Sequence, residues 1–297
     1  MPELPEVEVL VRHLKPLVVK QTILSVEVRR PRVLRPTSPQ ALTRVLRGAR
    51  IESLARRGKY LLFEIQPRGA SKTRLLVGHL GMTGRMYLVP VATQLPKHAA
   101  VVLGLGHDKL IFEDTRYFGR LTTDTSSVER LGVEPLGDDF TVRGFCAALR
   151  CSGQPIKVKL LDQTLVAGIG NIYASEALFR AGISPKMPAN RLSDPAVQRL
   201  WQSIRATLSE AIEFGSTVPL NFGGADSADR LFYYGQAPQT SRFYEERLRV
   251  YDRESQPCVQ CGSNIKRMAQ AGRSTFFCPQ CQPFRAGTTR RLRGKSV

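Results

Sequence analysis

Four cysteines fall in two close pairs, Cys258-x2-Cys261 and Cys278-x2-Cys281, separated by sixteen residues. Thiolates at this spacing can share one tetrahedral ion, and zinc is the default metal for four of them. A closed four-thiolate site has no open coordination position, so the spacing predicts one structural Zn2+ and no chemistry at the metal. Ile265 and Met268, then Arg273-Ser274-Thr275-Phe276-Phe277, read as two short strands with a turn. A β-hairpin pinned at its base by metal would carry Arg273 near its tip, where a guanidinium can meet a phosphate bidentately.

The other reactive feature is the start, Met1-Pro2-Glu3-Leu4-Pro5-Glu6. A small second residue normally permits removal of Met1, which leaves Pro2 with a free secondary amine. About a tenth of α-amino groups are free base near pH 7, against roughly one lysine in a thousand. Such an amine adding to a sugar C1′ forms a cationic iminium, an electron sink, and the adjacent Glu3 can carry protons. Taken alone, the same residues also read as a stiff cap before a helix.

These groups need elements to hold them. Residues 5 to about 17 read as a helix, with Pro5 in the first turn and Val7, Leu10, Val11 and Leu14 at helical spacing. Residues 22–29, 59–66, 74–80, 85–89, 100–104 and 109–113 are short, apolar and turn-bounded, the pattern of an antiparallel β-sandwich or barrel. No βαβ alternation points to a parallel sheet. From about residue 130 the pattern becomes helical: 141–150, a short helix after Pro155, Asn171–Ala181 closed by Gly182, and a long helix capped by Ser193-Asp194-Pro195 and ended at Gly215. Its apolar stripe includes Trp201, read as core. Residues 221–242 read as a loop and Arg285 to Lys295 as a disordered basic tail. Cys146 and Cys151 read as plain thiols, and His13 and His107 as surface or satisfied histidines. There is no internal repeat.

Composition restricts the partners. Across 297 residues, 44 Lys and Arg face 25 Asp and Glu, a net charge of +19 that attracts polyanions. A membrane surface is the competing partner, but the chain has no basic amphipathic helix, lipidation signal or spanning apolar run. Glu3, Glu6 and Glu8 at the start argue against a signal peptide, so a reducing cytosol or nucleoid is expected, where thiols bind metal.

Several strings then appear in one order. Pro2-Glu3-Leu4-Pro5-Glu6-Val7-Glu8 resembles the opening of the formamidopyrimidine-DNA glycosylases, bacterial enzymes that remove oxidised purines. Arg56-Arg57-Gly58-Lys59-Tyr60-Leu61-Leu62 resembles that family's lysine segment, and His79-Leu80-Gly81-Met82-Thr83-Gly84 its loop that fills the hole left by a flipped base. Asp114-Thr115-Arg116-Tyr117-Phe118-Gly119 is similar to its Asp-x-Arg-Arg-Phe-Gly turn, with Tyr117 where a second arginine is usual. Leu161-Asp162-Gln163 and Gly168-Ile169-Gly170-Asn171-Ile172-Tyr173 resemble its helix-two-turn-helix, and Gly272 to Cys278 its zinc finger.

The resemblance implies an α+β multidomain fold. It has an N-terminal helix and antiparallel β-sandwich (2–130, catalytic), a helix-two-turn-helix DNA-binding domain (131–220), a lesion-capping loop and linker (221–247), a β-hairpin zinc finger (248–282) and a basic tail (283–297). It implies a monomeric, cytoplasmic base-excision-repair enzyme acting on double-stranded DNA with oxidised bases or abasic sites. Pro2 and Glu3 would be catalytic, with Lys59 and Arg273 assisting. His79, Met82, His98, Arg116, Phe118, Lys157 and Asn171 would contact DNA. Met82, Arg116 and Phe118 would fill the vacated space, a wedge, a cation and a stacking ring. Without the resemblance Met82 and Phe118 read as β-core, and Lys59 as an exposed strand lysine. The glycines before Asn171 suit a phosphate at a helix N-terminus, or an ordinary capped turn. The loop from Thr217 onward departs from the family's usual string, and Gly153 stands where basic residues are common, so lesion preference stays open. The alternatives are an endonuclease VIII-like glycosylase for oxidised pyrimidines, whose usual opening has glycine in place of Leu4, and a non-catalytic lesion-binding protein.

Overall fold

The computed structural model describes residues 2–216 and 248–284. The capping loop and linker expected at 221–247, and the tail from residue 285, lie outside the described residues. Helix α1 (Leu4–Val18) is followed by β1 (Ser25–Val28), a 3-10 turn (Pro31–Leu34), α2 (Pro39–Leu46), β2 (Arg50–Arg57), β3 (Tyr60–Gln66), β4 (Arg74–His79), β5 (Gly84–Pro90), β6 (Ala99–Gly104), β7 (Asp108–Asp114) and β8 (Arg120–Thr122). Two four-stranded sheets, ordered β1-β6-β7-β5 and β2-β3-β4-β8, are antiparallel throughout. In β3 the expected alternation is realised: Leu61, Phe63 and Ile65 are buried, while Tyr60, Leu62, Glu64 and Gln66 are half-exposed. One core joins both sheets to α1 through Val7, Leu10, Val11, Leu14 and Val18.

The strands and α-helices of this half that the sequence reading lacks are β2, β8 and α2. β2, Arg-Ile-Glu-Ser-Leu-Ala-Arg-Arg, breaks its alternation at a register shift between Ile51 and Ser53, so its period-2 signal is lost. β8 has three residues. α2 buries only Leu42 and Leu46, though Ser38 caps it through a hydrogen bond accepted from the Ala41 N–H at 3.1 Å.

The second half contains α3 (Ser126–Glu129), α4 (Val142–Arg150), α5 (Ile156–Leu160), α6 (Asn171–Arg180), a 3-10 turn (Ala189–Arg191) and α7 (Asp194–Ser216). α6 closes as expected: Gly182 takes φ +66, and the Ile183 N–H reaches back to Leu178 O at 3.0 Å. Gly215 does not end α7; it lies inside a helix that continues to the last described residue of that segment. Trp201 is half-buried, and its indole N–H donates to Phe140 O at 2.7 Å. The hairpin is β9 (Lys266–Gln270) paired with β10 (Arg273–Phe277). It packs on α6 through a cluster of Phe179, Val250, Ile265 and Phe276. No helix among the described residues is long and apolar enough to cross a membrane.

Candidate active site and DNA-binding face

α1 belongs to two cores. Val7 and the residues after it pack into the sandwich, while Leu4 is buried in the helical core with Tyr173, Leu178 and Leu200. That division places Pro2 and Glu3, both buried, at the junction of the two halves. The Glu3 carboxylate sits on the N-terminus of α6. Oε2 accepts from the Gly170 N–H at 2.8 Å and the Tyr173 N–H at 3.3 Å, and Oε1 from the Ile172 N–H at 2.9 Å. The first-turn donors expected to suit a phosphate therefore hold Glu3 instead, because a helix N-terminus accepts any anion brought close to it. This contact also explains the glycines: a Cβ on Gly170 would lie 2.3 Å from Glu3 Cδ, and one on Gly168 would lie 2.6 Å from Leu4 Cδ1.

Glu6 lies directly behind Glu3. Its Oε2 accepts from the Glu3 N–H at 2.7 Å and its Oε1 from the Tyr173 hydroxyl at 2.8 Å. Burial, with the Glu3 charge adding to it, raises the Glu6 carboxyl to about 7, against a Tyr173 hydrogen bond that lowers it. The pair thus combines a carboxylate in a cradle of N–H donors with a neighbour that holds its proton about half the time near pH 7. Lys59 is 6% exposed, and no carboxylate lies within ion-pair distance of it among the described residues. Burial pushes its ammonium below the ordinary lysine range; Glu3 opposes the fall and Arg273 adds to it. A buried cation lacking an ion-pair partner beside a carboxylate is a candidate for moving protons.

The tip of the β2–β3 hairpin carries Lys59 and is clamped from outside. Glu134 accepts from the Gly58 N–H at 2.6 Å, Arg57 at 3.0 Å and Arg56 at 2.8 Å, and Arg56 also bonds Glu8 of α1 at 2.8 Å. Next to it, His79 is lowered to about 4, by burial first and then by Lys59 and Arg120. Its Nδ1 accepts from the Gly81 N–H at 3.2 Å, which leaves a neutral ring with its proton on Nε2, a donor without charge.

Lys157 takes a different place from the DNA contact expected of it. It is 1% exposed, and Nζ donates to Asn171 Oδ1 at 2.6 Å, Thr275 Oγ1 at 2.9 Å and Ser274 O at 3.1 Å. An ammonium has three hydrogens, so none is left for a phosphate. Burial brings Lys157 down to about 8, with Glu3 opposing and Arg273 adding. Asn171 is likewise engaged, its Nδ2 donating to Ser274 O at 2.9 Å. The two tie α5 and α6 to the finger strand that begins at Arg273. Arg273 itself is exposed at the hairpin tip, opposite Gln270, with no ion-pair partner among the described residues.

The finger cysteines converge. All four Sγ atoms lie within 4.8 Å of one another, with Cys258–Cys281 at 3.8 Å and Cys261–Cys278 at 3.5 Å. Zn–S bonds of about 2.3 Å in a tetrahedron require S···S edges of roughly 3.8 Å, so the four thiols fit one Zn2+.

On the sandwich, Met82 and Phe118 are 44% and 47% exposed, and Arg116 is exposed beside them. They are not core. Fully buried Asp114 joins their loops: Oδ1 accepts from Thr83 Oγ1 at 2.6 Å and the Arg116 N–H at 3.1 Å, and Oδ2 from the Gly119 N–H at 2.7 Å. A Cβ on Gly81 would come within 2.6 Å of Gly119 N, so the two turns touch backbone to backbone. The Arg116 guanidinium lies 4.8 Å from the Phe118 ring centroid. His98 is half-exposed, its Nδ1 3.2 Å from the Tyr117 hydroxyl.

Sequence reasoning missed Glu6, Tyr173, Asp114 and Glu134 as site-builders. Glu6 had a signal, its place three residues after Glu3 at a helix start. Asp114 had one too, its place at the head of a turn whose Arg116 and Gly119 N–H groups it accepts from; Tyr173 and Glu134 act through contacts between residues far apart in the chain, which no local pattern encodes.

Against known proteins, three family models match: the formamidopyrimidine-DNA glycosylase N-terminal domain over residues 1–121, its H2TH domain over 131–220, and a zinc finger found in FPG and IleRS over 255–283. A formamidopyrimidine-DNA glycosylase of Dechloromonas aromatica is 41% identical over 291 residues, covering 95% of this chain and 100% of the relative. One from Thermus thermophilus is 41% identical over 289 residues, covering 95% and 98%. Among solved structures, the Lactococcus lactis enzyme non-covalently bound to DNA containing an AP site is 34% identical, with a TM-score of 0.81, covering 95% of this chain and 100% of that one. MutM in complex with DNA containing carbocyclic 8-oxo-G is 36% identical with a TM-score of 0.82, at the same coverage.

Proposed function

The chain belongs to the formamidopyrimidine-DNA glycosylase family, and from that premise we propose which of its residues carry each step of base excision. It is a base-excision-repair glycosylase and AP lyase for oxidised purines in duplex DNA, with one structural Zn2+. We assign residues 2–130 to catalysis and 131–220 with 248–282 to gripping DNA.

After removal of Met1, the Pro2 nitrogen attacks C1′ of the damaged nucleotide. The C1′–N bond breaks, its electron pair leaves with the base, and a proton is delivered to the departing base. The Pro2 nitrogen loses its own proton, and its lone pair then expels O4′ from C1′, so that the sugar ring opens, O4′ takes up a proton and the nitrogen becomes an iminium. That cation acidifies the C2′ hydrogen; its removal expels the 3′ phosphate, and a second elimination expels the 5′ phosphate. Glu3 moves the protons at Pro2 and the sugar. The observation that carries this reading is the buried Glu3 carboxylate, held next to Pro2 by three backbone N–H groups. Lys59, unpaired and depressed by burial, serves proton transfer and the phosphate beside the lesion. Arg273 takes a phosphate from the finger side. Met82, Arg116 and Phe118 refill the space left by the extruded nucleotide, with His79 and His98 on the same DNA-facing side. Lys157, its three donors taken by protein acceptors, holds Arg273's strand against α6, and Asn171 ties the same strand through one Nδ2 hydrogen while contacting the DNA at the start of α6.

The zinc ion, when bound, supplies no reaction step; Cys258, Cys261, Cys278 and Cys281 would close its coordination and fix the base of the hairpin. The relatives are bacterial, and we place the enzyme in the cytoplasm, at the nucleoid. A second reading concerns lesion range. The Lactococcus lactis relative has been solved with DNA containing an oxidised pyrimidine, which makes pyrimidine lesions further substrates to test beside 8-oxoguanine.

The test is borohydride reduction during turnover on duplex DNA with one 8-oxoguanine. The expected product is a covalent protein–DNA adduct on the Pro2-containing peptide, and Glu3→Gln is expected to lower base release by at least about 100-fold while DNA binding persists. Correctly processed protein that releases the base without a trappable adduct would overturn the Pro2 mechanism. Full activity of Glu3→Gln would overturn the role of Glu3.

A further inference from the structure

The wedge loop contains one residue that the excision mechanism does not use. Tyr117 stands between Arg116 and Phe118 with φ +54, a left-handed backbone conformation that bulky aromatic side chains rarely adopt. Asp114 pins the two ends of this loop through the Arg116 and Gly119 N–H groups, so what holds its middle is Tyr117 itself. The ring packs against the sandwich core. The hydroxyl accepts from Arg30 Nε at 3.2 Å and lies 3.2 Å from His98 Nδ1, while the Arg30 guanidinium carbon is 5.7 Å from the ring centroid. Arg30 comes from a distant part of the chain, just before the Pro31–Leu34 turn. Its own N–H and that of Arg29 both bond Ala100 O, at 3.1 and 2.9 Å, so its backbone is anchored on the sheet. Its side chain has no carboxylate within ion-pair distance among the described residues. The grip on Tyr117 is therefore a bond from a fixed strand end to a strained residue.

Strain of this kind persists only where surrounding contacts over-determine it, and it is informative where the flanking residues are functional. Here the flanking residues stack on each other, the Arg116 guanidinium 4.8 Å from the Phe118 ring. A Tyr117 that relaxed to negative φ would rotate the peptide between them and separate that pair. This inference rests on the functional reading above. We propose that Tyr117 is a positioning residue: its hydroxyl, held by Arg30 and His98, fixes over Phe118 the Arg116 cation that fills the space left by the extruded nucleotide and faces the base orphaned there, and so sets how strictly the enzyme discriminates the base opposite the lesion.

The experiment uses full-length, zinc-loaded protein with Tyr117→Phe, Arg30→Ala and the double variant. Single-turnover excision of 8-oxoguanine is measured opposite cytosine and opposite adenine. Borohydride trapping on an abasic site in single-stranded DNA, which has no opposite base, is measured in parallel. Each single variant is expected to change the cytosine-to-adenine rate ratio about fivefold, the size of one lost hydrogen bond. The double variant is expected to fall short of the product of the two single effects, because the Arg30–Tyr117 hydrogen bond is lost in both. Single-strand trapping is expected to stay at the wild-type rate. A ratio that stays within twofold of wild type in both single variants overturns the proposal. So does a loss shared equally by both duplexes and the single strand, which is the mark of a merely structural role. Should Tyr117→Phe fold poorly, Arg30→Ala, at an exposed position, decides the same question. Wild-type protein that neither excises nor traps would overturn the functional reading instead.

Discussion

Glu6 shows how a side chain can matter to the reaction without touching DNA. It is fully buried between the Glu3 N–H and the Tyr173 hydroxyl, and burial raises it from 4.5 to about 7. A carboxyl with a raised folded value keeps its proton in the native state over a range where the unfolded chain has lost it. Its stabilising contribution is therefore complete below about 4.5 and lost as pH rises through 7. Glutamine at this position cannot ionise. Relative to Glu6→Gln, the wild-type protein is expected to lose stability between pH 5 and 8, by up to about 3 kcal/mol. Denaturant unfolding of both proteins at pH 5, 6, 7 and 8 measures it, and parallel stability curves would refute the assignment. Lys157 carries a related lesson. Its sequence position suited a phosphate, but an ammonium with three protein acceptors acts as a fastener between α5, α6 and β10.

At the scale of elements, the N-terminus of α6 holds the chain's own first residues. That gives Gly170 a steric role distinct from any role in DNA approach. Gly170→Ala puts a methyl 2.3 Å from Glu3 Cδ, and Glu3 is held too tightly to absorb it, so the carboxylate must leave its three donors. Excision is expected to fall at least tenfold, with a stability cost of about 1–3 kcal/mol. Gly137→Ala is the control, since its Cβ would meet only ordinary contacts at 3.5 Å; it is expected to leave the excision rate as it is. Single-turnover rates and melting of the two variants separate the cases, and an active Gly170→Ala would show that Glu3 need not occupy that cradle. The pair of turns at Gly81 and Gly119 follows the same logic, since backbone approach there couples Met82 to Phe118.

For the whole molecule, the +19 charge provides the long-range attraction and the finger provides one placed cation. Chelating the zinc is expected to free the base of the hairpin and weaken DNA binding. Arg273→Ala should reproduce much of that loss with metal still bound, and should reduce the slope of log affinity against log salt by about one. Binding isotherms at several salt concentrations, with zinc content measured in parallel, check both parts. An Arg273→Ala protein that binds like wild type while the chelated protein does not would give the finger a role other than presenting this arginine.

The sequence alone was enough for whatever is written in short spans. Cysteine spacing announces the metal, 2- and 3.6-residue periods announce β3 and α1, Gly182 announces the end of α6, and the motifs announce the family, because each depends on residues within a turn or a strand of one another. β2 escaped since a bulge shifts its register, and residue pattern alone read Met82 and Phe118 as core where the family resemblance had them facing DNA; the structure leaves both exposed. Only the tertiary structure decided that Glu3 sits in the α6 cradle, that Glu134 clamps the Lys59 hairpin and that Lys157 is buried among finger acceptors. Those contacts join positions from 76 to 170 residues apart. A lysine or glutamate in sequence has the same donors and acceptors wherever it falls; which partners reach them, and whether water is excluded when they do, is settled by packing.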